Sequence, residues 1–394
     1  MCVLTASGAV PVMASPACLA FDHDIFQLQL HGGIRLYFTE LSRALREEDC
    51  ARLRLLHPSL PSVVVPLPPG RRGNVLMGGI RLGSLLVSFV SSVLPSPPWQ
   101  SRKIYHATYY RNPFLHWSAN PVVVTVHDLI HECCPQYFDP AYASSIQRYV
   151  KAKRRCIFAA DAIIAVSHAT REDLLHTYPQ IEPARVHVIH HGSDHVPAMG
   201  SLESRDPHPD GVPFRSYLLY VGSRGHYKGF DDLLHAFSEL GGSSREVGLV
   251  CVGSPFTAEE SARIQRFSLA GNVISVQADE AHLVRLYKHA LGFVYPSWRE
   301  GFGLPILEAM RARCPVVCSD IPSSREIADH HALFFRACDQ QDLRRALQDL
   351  LDWDPERRTR LLSDAQAHAS SFTWEDAARR TCDLYLGLLA RLNN

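Results

Sequence analysis

Glu300 and Glu308 stand eight residues apart, separated by Gly301-Phe302-Gly303-Leu304-Pro305-Ile306-Leu307. The apolar run 290–295 before them stops at Pro296, and a glycine-punctuated loop then gives way to a helical pattern. The stretch therefore reads as strand, loop and helix at the carboxyl edge of a parallel sheet. Pro305 suits the first helical position, where its missing N–H is not needed, so the N–H groups of 303–306 would face the space above the strand and favour an anion. Carboxylates repel phosphate but accept hydrogen bonds from hydroxyls. A ligand that carries both, as a nucleotide sugar does, satisfies loop and acids together. Arg224 and Lys228 follow the apolar run 217–221 and Gly222, four residues apart. One offers a bidentate fork and the other a point charge, a pair suited to a diphosphate. His127 closes the β-branched run 122–126 and precedes Asp128, at the kind of strand end where α/β proteins gather their chemistry. Gly32 and Gly33, between a first strand over 19–26 and a helical pattern over 35–46, allow close approach of backbone to a ligand.

The elements that must position these residues repeat one theme, strand followed by helix. The expected strands of the first half are 19–26, 62–66, 104–110, 122–128, 162–167 and 186–189; those of the second are 217–222, 249–252, 272–276, 290–295, 315–319 and 332–335. Helical patterns cover 148–160, 169–176 (capped by Ser167), 231–240, 277–289, a stretch from Ser323, 339–351, 357–371 and 376–392. A Pro-, Ser- and Gly-rich stretch, 197–213, separates the halves as a linker. With 394 residues the chain suits two α/β domains, and 46% hydrophobic against 20% charged residues is a globular composition. Forty basic and forty acidic residues cancel, which argues against a nucleic-acid partner.

Eleven cysteines without paired metal-ligand spacing, including Cys133-Cys134 and Cys314-x3-Cys318, read as the reduced thiols of a cytosolic protein. The start, 1–20, lacks a basic segment and contains Pro11 and Pro16, so it reads as a poorly ordered leader rather than a signal peptide. No run reaches the roughly 20 apolar residues of a membrane span. The nearest, 82–94, has thirteen residues with four serines and follows Arg71, Arg72 and Arg81; it fits either an interfacial segment on anionic lipid or a core helix. Asp22-His-Asp24 and Asp352-Trp-Asp354 fit the Asp-x-Asp pattern of metal-dependent glycosyltransferases. Their places in an opening strand and a helical tail make them structural, and no metal ligand set or cofactor is expected.

The run Glu300-Gly-Phe-Gly-Leu-Pro-x-x-Glu308 resembles the Glu-x7-Glu signature of retaining glycosyltransferases of the two-Rossmann-domain (GT-B) architecture, family 4, and Arg224-x3-Lys228-Gly229 resembles the same family's basic element. The resemblance implies an α/β fold of two Rossmann-like domains facing a cleft. Residues 21–196, joined by a terminal helix 374–394 that crosses back, would take the acceptor; residues 214–373 would take the nucleotide-sugar donor. It further implies that Glu308 binds the donor ribose and Glu300 the sugar hydroxyls, while Arg224 and Lys228 neutralise the leaving diphosphate. Gly222, Gly301, Phe302, Gly303 and Leu304 would line the donor, His127 would face the reaction, and Gly32 and Gly33 would meet phosphate or acceptor. Gly32-Gly-Ile-x-x-Tyr37-Phe38-Thr, His106-Ala-Thr-Tyr-Tyr, His127-Asp-Leu-Ile-His and Gly222-Ser-Arg look like bacterial O-antigen and surface-polysaccharide mannosyltransferases. That implies GDP-mannose as donor, a saccharide or lipid-linked saccharide as acceptor, a role in lipopolysaccharide-type synthesis, and a cytoplasmic enzyme with peripheral contact at the inner face of the plasma membrane. The pattern departs after Gly-Gly-Ile, where Arg35 and Leu36 stand in place of a small residue followed by arginine. A nucleotide-sugar epimerase of the same architecture, or a non-catalytic nucleotide-sugar binding protein, are the alternatives.

Overall fold

The computed structural model describes residues 17–21, 24–28, 32–47, 53–55, 103–110, 120–197, 207–240 and 246–391. In chain order the first half holds β1 (Ala17–Phe21), α1 (Asp24–Leu28), α2 (Gly33–Glu47), β2 (Leu53–Leu55), β3 (Lys103–Ala107), β4 (Val122–Val126), α3 (Ile130–Cys133), α4 (Ala143–Ala159), β5 (Ala162–Ala165), α5 (His168–Thr177) and β6 (Val186–Val188). The second half holds β7 (Ser216–Val221), α6 (Phe230–Ser238), β8 (Val247–Val252), α7 (Ala258–Arg266), β9 (Val273–Val276), α8 (Glu280–His289), β10 (Gly292–Tyr295), α9 (Leu304–Arg311), β11 (Val316–Ser319), α10 (Pro322–Ala328), β12 (Leu333–Phe335), α11 (Gln340–Leu351), α12 (Pro355–Ser370) and α13 (Trp374–Arg391).

Two six-stranded sheets result, ordered β2-β1-β3-β4-β5-β6 and β12-β11-β10-β7-β8-β9, with every pairing parallel. Parallel strands are covered by helices on both faces, so their sequences are apolar without alternation. Val122-Val-Val-Thr-Val126 is buried at every position, as are β5, β10 and β11.

Two expectations change at the amino end. β1 begins at Ala17, inside the stretch read as a leader, and it ends at Phe21 rather than 26. The remainder of the apolar run turns into α1, where buried Ile25 donates its N–H to Thr108 Oγ1 at 3.2 Å. A short apolar run does not by its hydrophobicity distinguish strand from helix. The leader residues 1–16, Asp22, the strand 62–66, Arg71, Arg72, Arg81, the segment 82–94 and linker residues 198–206 lie outside the described residues. Asp352 ends α11 and Asp354 caps α12 by accepting the N–H groups of Glu356 and Arg357, which is the structural role expected of that pair. Seven cysteines are free among the described residues, but Cys382 is disulfide-bonded, so the reading of uniformly reduced thiols does not hold there.

The terminal helix α13 belongs to the core of the first sheet. Trp374, Ala378, Tyr385 and Leu389 pack with Tyr37, Phe38 and Leu41 of α2 and with Ile104 and Val123 of the strands beneath. Trp374 is wholly buried. Trp374→Ala should destabilise the protein by about 3–5 kcal/mol, the range for emptying a buried aromatic site. Urea unfolding measures this, and a loss under about 1 kcal/mol would place α13 outside the core.

Candidate active site

The loop between β10 and α9 is shaped by its glycines. Gly303, at φ 113°, serves as the helix N-cap in a backbone region that side chains disfavour. Leu304 is therefore the first helical residue and Pro305 the second, one position later than expected. Ile306 N–H is taken by Gly303 O at 2.9 Å. Since Pro305 has no N–H, the helical ladder leaves Gly303 and Leu304 to offer theirs to a ligand, two of the three expected.

Lys228 and Glu300 meet directly, a pairing that the sequence reading did not include: Nζ lies 2.6 Å from Oε1, with both side chains largely buried. Burial by itself would depress the Lys228 pKa, but the Glu300 carboxylate outweighs it and raises the ammonium above its ordinary value. Arg224 turns elsewhere. Its Nε and Nη2 donate to the two oxygens of Glu260 at 2.9 and 3.2 Å, and Nη2 also reaches the carbonyls of Ser254 and Pro255. The guanidinium lies 4.8 Å from the Phe256 ring. The fork expected to grip a diphosphate is thus occupied, because Glu260 sits in a capping box at the start of α7 within reach. Its Nη1 is buried with no partner among the described residues.

Glu308 is buried one turn into α9, where Oε1 accepts from His195 Nε2 and Oε2 from Tyr287 Oη, both at 3.1 Å. His195 Nδ1 accepts from Trp374 Nε1 at 3.3 Å, which places the imidazole proton on Nε2. Each carboxylate oxygen keeps a second lone pair.

Opposite this loop stands the wall built by the first sheet. A Cβ on Gly301 would fall 1.7 Å from the His127 carbonyl oxygen, and backbone on both sides leaves nothing to give way. Gly301 O accepts from Ser167 Oγ at 2.5 Å and Thr170 Oγ1 at 2.9 Å, while Ser167 also caps α5 as expected. Phe302 packs 4.5 Å from the ring of His191. His127 and His191, 5.8 Å apart, present three ring nitrogens (His127 Nε2 and both of His191) that are buried and unpartnered among the described residues. Burial, and in His127 the nearby Lys153 charge, lower the His127 pKa to about 4, and burial pushes His191 well below its ordinary value. Two neutral imidazoles each donate one hydrogen bond and accept one, as a hydroxyl does. Gly33, at the first turn of α2, borders open space, as does Gly222 after β7.

Sequence reasoning missed His191, His195 and Lys153. His191 follows β6 and could have been found by the same strand-end rule that selected His127. Lys153 lay hidden in the basic pattern of α4. It is fully buried, and its Nζ reaches Asp128 O at 2.5 Å and the Glu132 carboxylate at 3.1 Å, so it anchors the segment that carries His127.

Beneath His127, His106 pairs through Nδ1 with Tyr385 Oη at 2.6 Å and through Nε2 with Thr125 Oγ1 at 2.9 Å. Burial, then the neighbouring His127, lower its pKa from 6.5 to about 3. The unfolded chain therefore takes up this proton first as pH falls. The stability involved is intact above about pH 6.5 and is lost progressively toward pH 3. Between pH 7 and pH 5 this one group should remove about 2 kcal/mol. Urea midpoints at the two pH values should converge in His106→Gln relative to wild type; equal slopes in both proteins would refute the assignment.

The chain matches the family description "Glycosyltransferase Family 4" over residues 31–196 and "Glycosyl transferases group 1" over residues 213–368. It is similar to O-antigen chain mannosyltransferase B of Escherichia coli, 27% identical over 372 residues that cover 90% of this chain and 95% of that protein. It is equally similar, 27% over 382 residues covering 91% and 96%, to the alpha-maltose-1-phosphate synthase of Mycobacterium tuberculosis. Among solved structures, Anabaena HepE in complex with UDP and glucose aligns with a TM-score of 0.66 at 16% identity, over 94% of this chain and all of that one. Two parallel Rossmann-like sheets, loops that meet at their carboxyl edges, a terminal helix returning to the first sheet and both family matches lead to one conclusion: the chain belongs to the family 4 glycosyltransferases of GT-B architecture.

Proposed function

We propose that the enzyme transfers mannose from GDP-mannose to a saccharide or lipid-linked saccharide acceptor in the synthesis of a surface polysaccharide of O-antigen type, with retention at the anomeric carbon. Similarity to an O-antigen mannosyltransferase over nearly the whole chain supports the sugar. The observation that carries the site is the 2.6 Å approach of Lys228 to Glu300, three residues before the Gly303 cap. As the bond between anomeric carbon and diphosphate oxygen breaks, the electron pair leaves on the diphosphate, while the acceptor hydroxyl oxygen bonds to the anomeric carbon and its proton passes to the departing diphosphate. Lys228, Arg224 Nη1 and the N–H groups of Gly303 and Leu304 then stabilise a charge that grows toward the transition state. These groups can supply the positive field without a metal ion. Glu300 accepts hydroxyls of the transferred sugar, and Glu308 uses its spare lone pairs for the ribose. His127 meets the sugar as a neutral imidazole, and Gly222, Gly301 and Phe302 line the donor. Gly32 and Gly33 face phosphate or acceptor from the first sheet.

A UDP-sugar donor is the second reading, favoured by the structural neighbour that holds UDP and glucose. Calorimetry separates them: GDP-mannose should bind at least about tenfold more tightly than UDP-glucose, a difference of about 1.4 kcal/mol. The same titration with free GDP tests the acids. Glu308→Gln should weaken GDP, whereas Glu300→Gln should keep GDP binding and lose transfer; the reverse pattern would exchange their roles.

We also propose that the enzyme works at the inner face of the plasma membrane, as a peripheral protein. No described helix is long and apolar enough to cross a bilayer. Support comes from α4, which contains no acidic residue and exposes Arg148, Lys151, Arg154 and Arg155 beside Phe158 and Tyr142. Each cation near anionic lipid contributes about 1 kcal/mol, weakened by salt. The protein should therefore sediment with anionic liposomes at low salt and leave them at high salt. Full recovery in the supernatant at both would rule the contact out.

A further inference from the structure

The carboxylate of Glu326, on α10 of the second sheet's layer, reaches across to the first. Its Oε1 accepts from His168 N at 2.7 Å and lies 2.7 Å from His190 Nε2, and its Oε2 accepts from Ala169 N at 3.0 Å. Glu326 therefore caps the amino end of α5 from the opposite side of the cleft. The imidazole of His168 belongs to the first helical residue of α5, and His190 follows β6. Ligand atoms of His168, His190 and Glu326 all lie within 4.8 Å of one another.

We propose that His168, His190 and Glu326 form a zinc-class site that bridges the two domains and holds the cleft closed. The donor set decides the class of ion. Two imidazoles and one carboxylate suit Zn²⁺, with water in the fourth position, whereas Mg²⁺ and Ca²⁺ prefer all-oxygen shells. Ligands at the usual Zn–N and Zn–O lengths stand about 3.3 Å apart in a tetrahedron. The site must contract modestly, and the side chain of His168, an exposed residue, is free to swing. Glu326 Oε2 keeps a lone pair for the ion after capping Ala169, and the ion replaces the proton that His190 shares with Oε1.

The consequence follows from where the ligands come from. Two are carried with Ser167 and Thr170, which grip Gly301 O, and the third is carried by the second sheet. An ion at this place adds bonds to the closed arrangement alone and lowers the population of the open one. It lies outside the donor machinery and regulates it without taking part in the chemistry.

The test is calorimetric titration of Zn²⁺ into the chelator-treated full chain, with thermal unfolding and small-angle scattering in parallel. Wild type should bind one ion here, melt higher and become more compact. Mg²⁺ should produce neither change. His168→Ala retains the backbone N–H that Glu326 accepts, so its fold and its zinc-free transfer rate should be those of wild type. Its affinity for Zn²⁺ should fall by more than about 100-fold, beyond what the loss of an outer-shell partner brings, and its compaction should vanish. His330→Ala, which alters the cluster of Asp329, His330 and His331 confined to one loop, should leave this site untouched. Zinc binding and compaction in His168→Ala equal to wild type would overturn the proposal, as would their loss in His330→Ala.

Discussion

The close approach of Gly301 to the carbonyl of His127 sets the geometry of everything around it. Two loops from different sheets meet there backbone to backbone, at a separation that excludes even a methyl group. Once Gly301 is seated, Ser167 and Thr170 can hold its carbonyl, Phe302 can cover His191, and Glu300 is left directed at Lys228. A side chain at position 301 would hold the two walls apart and separate the residues that the signature brings together. Glycine here serves contact rather than flexibility.

Buried polar groups around this contact are satisfied unevenly. Some behind the cleft are paired. Lys153 neutralises Asp128 and Glu132 beneath the His127 segment, and Glu308 is linked through His195 to Trp374. The second chain ties the acid of α9 to the helix that returns to the first sheet, so the core of one domain helps orient a side chain of the other. At the cleft, three imidazole nitrogens and one guanidinium nitrogen lack protein partners among the described residues. Burying a polar atom without a hydrogen bond is unfavourable by about 1–3 kcal/mol, and a ligand or water in the cleft can complete these four.

Electrostatics sharpen the division. His127 and His191 are kept neutral by burial, whereas Lys228 is kept charged by Glu300 despite burial. Neutral groups line one wall and the cation stands at the other. That arrangement suits a ligand whose hydroxyls and phosphate lie at opposite ends.

Much of this was legible in the chain. Unbroken β-branched runs such as 122–126 announce strands of a doubly covered parallel sheet, and the alternation with helices follows from their spacing. Glu300, Glu308, Lys228, Gly301, Gly303 and the Ser167 cap could be singled out because each acts through its neighbours in sequence: a strand end, a loop, a first turn. The start of β1 at Ala17 and the turn of its apolar tail into α1 could not, since hydrophobicity alone does not select between strand and helix. Nor could the partners. Arg224 turning to Glu260, Lys153 buried under Asp128, His195 joined to Glu308 and Glu326 capping α5 are pairings between residues about 20 to 160 positions apart. Local pattern determines which elements form and which faces they bury, because backbone sterics and hydrophobic periodicity act over a few residues. Which charge meets which is decided only when the two sheets close on one another, because desolvation and hydrogen-bond geometry exist only in the packed structure.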